Sequence, residues 1–166
     1  SNVIDNFINA TQREIFNTYE LEFQEEVFSG SLPQGARTFT FPENMQIPLS
    51  IVITGPDGSQ RNIMDKYIRF RDFNKLCPTP DNGTPGPIFA WTSFAGNMVT
   101  SAPIDKPYVM DTFYLKKPKL LIDDSDVPEI PEEFQEVLVL GAYKRVLERN
   151  EDFDYAAVIE NKYQAQ

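Results

Sequence analysis

The densest group of side chains able to do chemistry is acidic. Asp123-Asp124-Ser125-Asp126 is followed closely by Glu132, Glu133 and Glu136. Hard cations take several carboxylate oxygens, so such a run invites a cation-loop reading. It lacks the turn glycine and the closing bidentate glutamate that an EF-hand loop requires. Pro128 and Pro131 lie between the aspartates and the glutamates, and proline together with Asp and Ser marks a turn. A solvated turn ahead of a helix is the better account, with Glu132, Glu133 and Glu136 complementing the positive end of the helix dipole. Glu25 and Glu26 are a second carboxylate pair, but nothing around them resembles a pocket for glycoside chemistry. Cys77 stands alone before Pro78, and the chain has no histidine to serve as its base. The missing histidine also removes the commonest general base and the usual zinc ligand. No phosphate-binding glycine loop or nucleophile elbow is present. Lys116, Lys117 and Lys119 form the one compact basic cluster, whose common fate is a solvated strand end. The sequence offers little to catalysis and points to no metal and no cofactor.

Charge is more informative. The formal net charge is −10, and tight binding of free nucleic acid needs clustered Lys and Arg. Between Asp123 and Glu160 stand twelve carboxylates against three basic side chains. One end of the molecule therefore carries a strong negative field, and a ring of such subunits would present a wall that repels phosphates. A single cysteine excludes an internal disulfide and a cysteine-cluster metal site. No apolar run approaches the ~20 residues that span a bilayer, and no secretory pattern opens the chain. The expectation is a soluble protein of a reducing compartment, whose first residue, Ser1, fits loss of an initiator Met or a trimmed chain.

The elements that would hold these residues fall into three stretches. Residues 3 to about 19 repeat apolar side chains at helical spacing (Ile4, Phe7, Ile8, Ile15, Phe16, Tyr19), with a polar gap at Thr11 to Glu14 and Ser1 or Asn2 as cap. From Val27 to Tyr114 the chain reads as β. Turns are expected at Ser29-Gly30-Ser31 and Pro33-Gln34-Gly35, and strands at 37–41, 49–54, 60–64, 67–73, 88–94, 97–101 and 108–115. The four-proline segment 77–87 reads as a loop. After the acidic turn, Phe134, Val137, Leu138, Gly141 and Ala142 trace one face of a helix. Gly141 costs about 1 kcal/mol there against alanine, which close approach of another helix would offset. Asn150 is the expected stop or cap before a last helix, whose face carries Phe153, Ala156, Ala157, Glu160 and Tyr163. The fold class is α+β. A single domain, residues 1–166, has a helical core from both chain ends (1–20 and 113–166). A long antiparallel β insertion, sandwich- or barrel-like, fills 21–112.

Several motifs, in order, resemble those of the head-to-tail adaptor (head completion) proteins of tailed bacteriophages. NATQREI (Asn9 to Ile15) is similar to the family's amphipathic first helix, and Thr38 to Pro42 to its short strand ending in proline. Gly83 to Trp91 (GTPGPIFAW) resembles its Gly/Pro turn running into an aromatic strand, and Ala102 to Tyr108 (APIDKPY) its Pro-Asp turn. Phe113 to Leu121, Val127 to Ala142 and EDFDYAAVIENKY resemble the closing strand, turn and two helices. The departures are a Phe where many members carry Tyr in the first strand, and the length of the β insertion.

The resemblance implies a structural virion protein, not an enzyme, made in the host cytoplasm and built into the head–tail connector. It implies a ring, a dodecamer, between the portal protein and a tail or stopper protein, with DNA passing through without specific binding and no membrane contact. On that reading Phe153, Ala156, Ala157 and Tyr163 would contact the portal, since a narrow small-residue face suits packing in a groove. Asp123, Asp124, Asp126, Glu132, Glu133 and Glu136 would face the channel. The rival expectation is a monomeric β-rich carbohydrate-binding or adhesion module of a virion, and a weaker one a small carboxylate hydrolase. The helical ends weigh against the first and the missing histidine against the second.

Overall fold

The computed structural model describes residues 3–19, 21–77, 83–123 and 125–165, with only the backbone of Glu133. Two compact units divide the chain, residues 1–24 with 117–166, and residues 25–116.

The second unit is built around one strand. Strand β7 (Tyr108–Lys116) pairs antiparallel with β1 (Glu25–Leu32) on one side and β3 (Met45–Thr54) on the other, and β4 (Gln60–Asn62) completes the order β1-β7-β3-β4. A three-stranded sheet of β2 (Thr38–Thr40), β6 (Asn97–Thr100) and β5 (Trp91–Phe94) has the order β2-β6-β5. Side chains alternate across a strand, so β7 buries Tyr108, Met110, Thr112 and Tyr114 while β3 buries Ile51 and Ile53. Leu32, Ile51, Ile53 and Met110 from the larger sheet meet Trp91 and Met98 from the smaller in one apolar cluster. Each such side chain contributes about 1.5–3 kcal/mol on full burial. The Trp91 indole N–H donates to the Ile63 carbonyl at 2.6 Å, so the largest core residue leaves no orphan donor. The two sheets face one another as a sandwich and do not close into a barrel.

Two local expectations for this unit are corrected. Ser29-Gly30-Ser31 is not a turn but lies inside β1, paired with Asp111, Met110 and Val109. The glycine is there because the Phe39 ring lies against it, where a Cβ at position 30 would overlap the ring. Residues 67–73 are not a strand either. Helix α2 (Phe70–Leu76) follows a 3-10 turn at Met64–Lys66 and buries Phe73 alone. Pro48 sits in β3 where the register slips between Pro48 and Ser50, the kind of irregularity that accommodates a strand proline. Phe113–Leu115, expected as strand but counted with the helical core, run inside β7 and pair on both sides, Lys116 pairs with Met45 alone, and the helical unit resumes at Lys117.

The first unit packs α1 (Val3–Thr18), α3 (Gln135–Arg149) and α4 (Phe153–Gln164), with 3-10 turns at Glu22–Gln24 and Glu132–Phe134. Ile15, Phe16, Ile130 and Leu138 form one cluster, and Leu147, Ala156 and Ile159 another. Thr11 and Gln12 of the polar gap of α1, and Asn9 before it, are buried, whereas Arg13 is exposed. Asn9 exchanges two hydrogen bonds with the Leu121 backbone, at 2.8 and 2.9 Å, and the Gln12 amide donates to the Lys119 carbonyl at 2.7 Å. Buried amides need partners, and the extended chain after Lys117 supplies them much as a neighbouring strand would. Ser1 and Asn2, the expected caps, lie outside the described residues. Asn150 is the stop of α3, its N–H bonded to the Val146 and Leu147 carbonyls at 3.1 and 3.0 Å, but it does not cap the last helix. Its place falls to Asp152, whose carboxylate accepts the Tyr155 N–H at 3.4 Å.

Candidate functional site

The acidic run does not act as one group. Asp126 folds back onto its own loop, where one oxygen accepts the N–H groups of Ile122 and Asp123 at 2.8 and 3.0 Å and the other accepts the Lys119 ammonium at 2.8 Å. These three donors favour the ionised form and hold its carboxyl far below the usual carboxylate range. In turn Asp126 raises the affinity of Lys119 for its proton. Both Asp126 oxygens are thus occupied by the chain itself. Asp123, Glu132 and Glu136 are exposed. Asp124 and the Glu133 side chain lie outside the described residues. Among the described residues no three carboxylate or thiol groups converge as metal ligands do.

The basic cluster is divided too, since Lys119 is committed to Asp126. Other charges serve the helical packing. Arg145 binds Glu14 at 2.6 Å, and Lys144 pairs with Glu160, whose carboxyl is held below its ordinary range by Lys144 and then by the Gln164 amide. The formal charge of the sequence is strongly one-sided. The helical unit carries sixteen carboxylates against seven cations, net −9, and the β unit nine against eight, net −1.

The four residues of the last helix face different ways. Phe153 and Ala157, one turn apart, are both exposed, whereas Ala156 is buried against Leu147 and Ile159. Ile159 was not among the residues expected on the packing face, yet it fills that face with Ala156. Tyr163 turns inward, to the wall of an apolar groove of about 240 Å3 lined also by Ile15, Tyr19, Phe23, Phe134 and Val137. Desolvation, then the nearby Glu14, push its phenol up to about 12. The β unit holds a polar cleft of about 390 Å3 lined by Arg61, Asp105, Lys106 and Tyr108. There Tyr108 donates to Asp105 at 3.0 Å, and burial with that bond raises its pKa.

Sequence reasoning missed a further surface. Trp91 is core, but Phe94 of the same strand is exposed and stacks on Phe70 of α2, with Arg69 and Arg71 beside it. The spacing of Phe70, Phe73 and Leu76 carried the helical signal that charge alternation at 67–73 obscured.

A one-sided charge, an exposed helix flank and an apolar groove are the equipment of a protein that works through its surfaces, as a building block of an assembly. The chain belongs to the family described as SU10 adaptor protein, whose model matches residues 1–166. It is therefore a phage structural adaptor and a component of the virion. No curated protein matches the chain.

Proposed function

We propose that the protein forms a ring, a dodecamer, between the portal and a tail or stopper protein and extends the channel through which DNA leaves the head. The observation that carries this reading is the net −9 of the helical unit, with Asp123, Glu132 and Glu136 exposed. Repeated around a ring, such a surface sums to a negative wall. Phosphates approaching within a screening length of about 8 Å are repelled, so a duplex slides past without sticking. Asp126 adds charge to that wall but no free oxygen. The portal face in this reading is narrower than the sequence implied. Phe153 and Ala157 supply it from the exposed flank of α4, while Ala156 and Tyr163 support the helix from within.

Light scattering on the purified protein, alone and mixed with portal protein, tests the reading. A ring, or a monomer that assembles only on the portal, is expected. A chain that stays monomeric under both conditions yet binds a glycan array overturns it in favour of the carbohydrate-binding module.

A further inference from the structure

The β unit carries a patch with the composition of a binding hot spot and no partner within the chain. Phe70 and Phe94 stack at 4.2 Å between ring centroids with planes 14° apart, yet they remain 36% and 52% exposed. Tyr67, 46% exposed, joins them at the edge of the Trp91 ring. Arg69 and Arg71 flank Phe70, both exposed, and neither guanidinium has an ion-pair or hydrogen-bond partner among the described residues. Exposed stacked phenyl rings lose hydrophobic stabilisation to water, and aromatic residues with arginine are what interfaces concentrate at their centres.

The helical unit offers the complementary surface. Val139 and Tyr143 lie one turn apart on α3, exposed, with the Tyr143 ring packed edge-on against exposed Tyr155 of α4 at 6.4 Å. Glu136, one turn before Val139 on α3, and Asp154, next to Tyr155 on α4, are exposed carboxylates. An apolar centre rimmed by anions matches an apolar centre rimmed by arginines, and the charges fix register and disfavour wrong partners.

We infer that the Phe70–Phe94 patch of one copy docks on the Val139–Tyr143–Tyr155 surface of the next, with Arg69 and Arg71 against Glu136 and Asp154, which takes Glu136 out of the channel wall and leaves Asp123 and Glu132 there. The inference rests on the ring reading, and it names the contact that closes the ring. Because the two surfaces differ, the contact is heterologous, and repetition of one heterologous contact generates a ring when its rotation closes. It also leaves the Phe153–Ala157 flank of α4 uncovered for the portal.

The test is a charge exchange on the full chain, read as assembly mass by sedimentation velocity, with portal protein added if the wild type needs it. Arg69→Glu with Arg71→Glu sets acid against acid, and Glu136→Arg with Asp154→Arg sets base against base. Each variant alone raises the assembly midpoint by about a hundredfold, because like charges across an interface are strongly penalised. Mixed in equal amounts, the two variants assemble again as an alternating ring, which misfolded variants cannot do. Assembly of each variant alone at the wild-type midpoint overturns this contact and leaves the ring reading standing. Failure of the mixture to assemble while the wild type does also overturns it. A wild type that stays monomeric with and without portal overturns both. Retained assembly together with lost binding to a tail protein or a glycan reassigns the patch to that ligand.

Discussion

Gly141 of α3 and Thr11 of α1 stand face to face with no room for another carbon between them. A methyl group at 141 would overlap the Thr11 side-chain methyl, and the Tyr163 ring closes the site from the third helix, 3.2 Å from the same position. Thr11 is fully buried, and its hydroxyl donates to the Phe7 carbonyl at 3.0 Å. The three helices of the unit therefore meet at a point that holds its spacing only because residue 141 has no side chain.

Substitution at 141 reverses an ordinary expectation. In an open helix Gly→Ala is favourable by about 1 kcal/mol. Here Gly141→Ala forces α1 away from α3, and overpacking of a close contact costs about 1–3 kcal/mol. Thermal unfolding of Gly141→Ala should show a net loss of stability, and Gly141→Val a larger one. Thr11→Ser removes the obstructing methyl and keeps the hydroxyl. In the Thr11→Ser background the Gly141→Ala change should become neutral or favourable, a coupling that a double-mutant cycle measures directly.

That glycine was legible in the sequence, because an interior helical Gly on an apolar face calls for close approach. The two terminal helices, the strands at 49–54 and 108–115 and the α+β arrangement were legible for similar reasons, as strong periodicity within short windows. What was hidden depended on distant partners. Gly30 sits where a turn seemed natural, and only the Phe39 ring, from another sheet, explains its place in β1. The polar gap of α1 gave no sign of its partners, because nothing nearby reveals that the backbone at Lys119 and Leu121 receives Asn9 and Gln12. In the candidate surfaces, composition found the acidic bias but not which carboxylates stay free. Asp126 and Glu132 look alike in sequence, yet one is consumed by its own loop and the other is exposed.

The loop at Asp126 should be acid-sensitive. Its folded-state pKa is depressed by the Asp123 N–H, the Lys119 ammonium and the Ile122 N–H. A depressed carboxyl stabilises the fold above its unfolded pKa of about 4, and the contribution is lost as pH falls through and below that value. Asp126→Asn lacks the charge at every pH. Urea unfolding should therefore find the wild type more stable than Asp126→Asn at neutral pH, with the gap shrinking between about pH 5 and 2. Hydrogen exchange at the Ile122 and Asp123 amides should quicken in the variant at neutral pH. A gap that stays constant through the acid range would mean the ionised carboxylate is not what holds the loop.

The joint between α3 and α4 stores strain in one residue. Glu151 has φ 62°, in the left-handed region, where a non-glycine residue costs about 1–2 kcal/mol. It is held there because the Glu151 N–H bonds the Glu148 carbonyl at 3.2 Å and the Asp152 N–H bonds the Leu147 carbonyl at 3.0 Å. These two bonds form a Schellman motif, and the position Glu151 occupies in it is the one that glycine commonly fills. Asp152 then starts α4 as its cap, so a single tight corner both ends one helix and begins the next. Glu151→Gly relieves the side-chain conflict but frees the unfolded chain, and the balance is a gain of about 0.5–1 kcal/mol. The melting temperature should rise by a few degrees. Asn150→Gly, one residue earlier at φ −87°, gains nothing from the left-handed region and should lose stability. If both glycines behave alike, the strain at Glu151 is not what limits this corner.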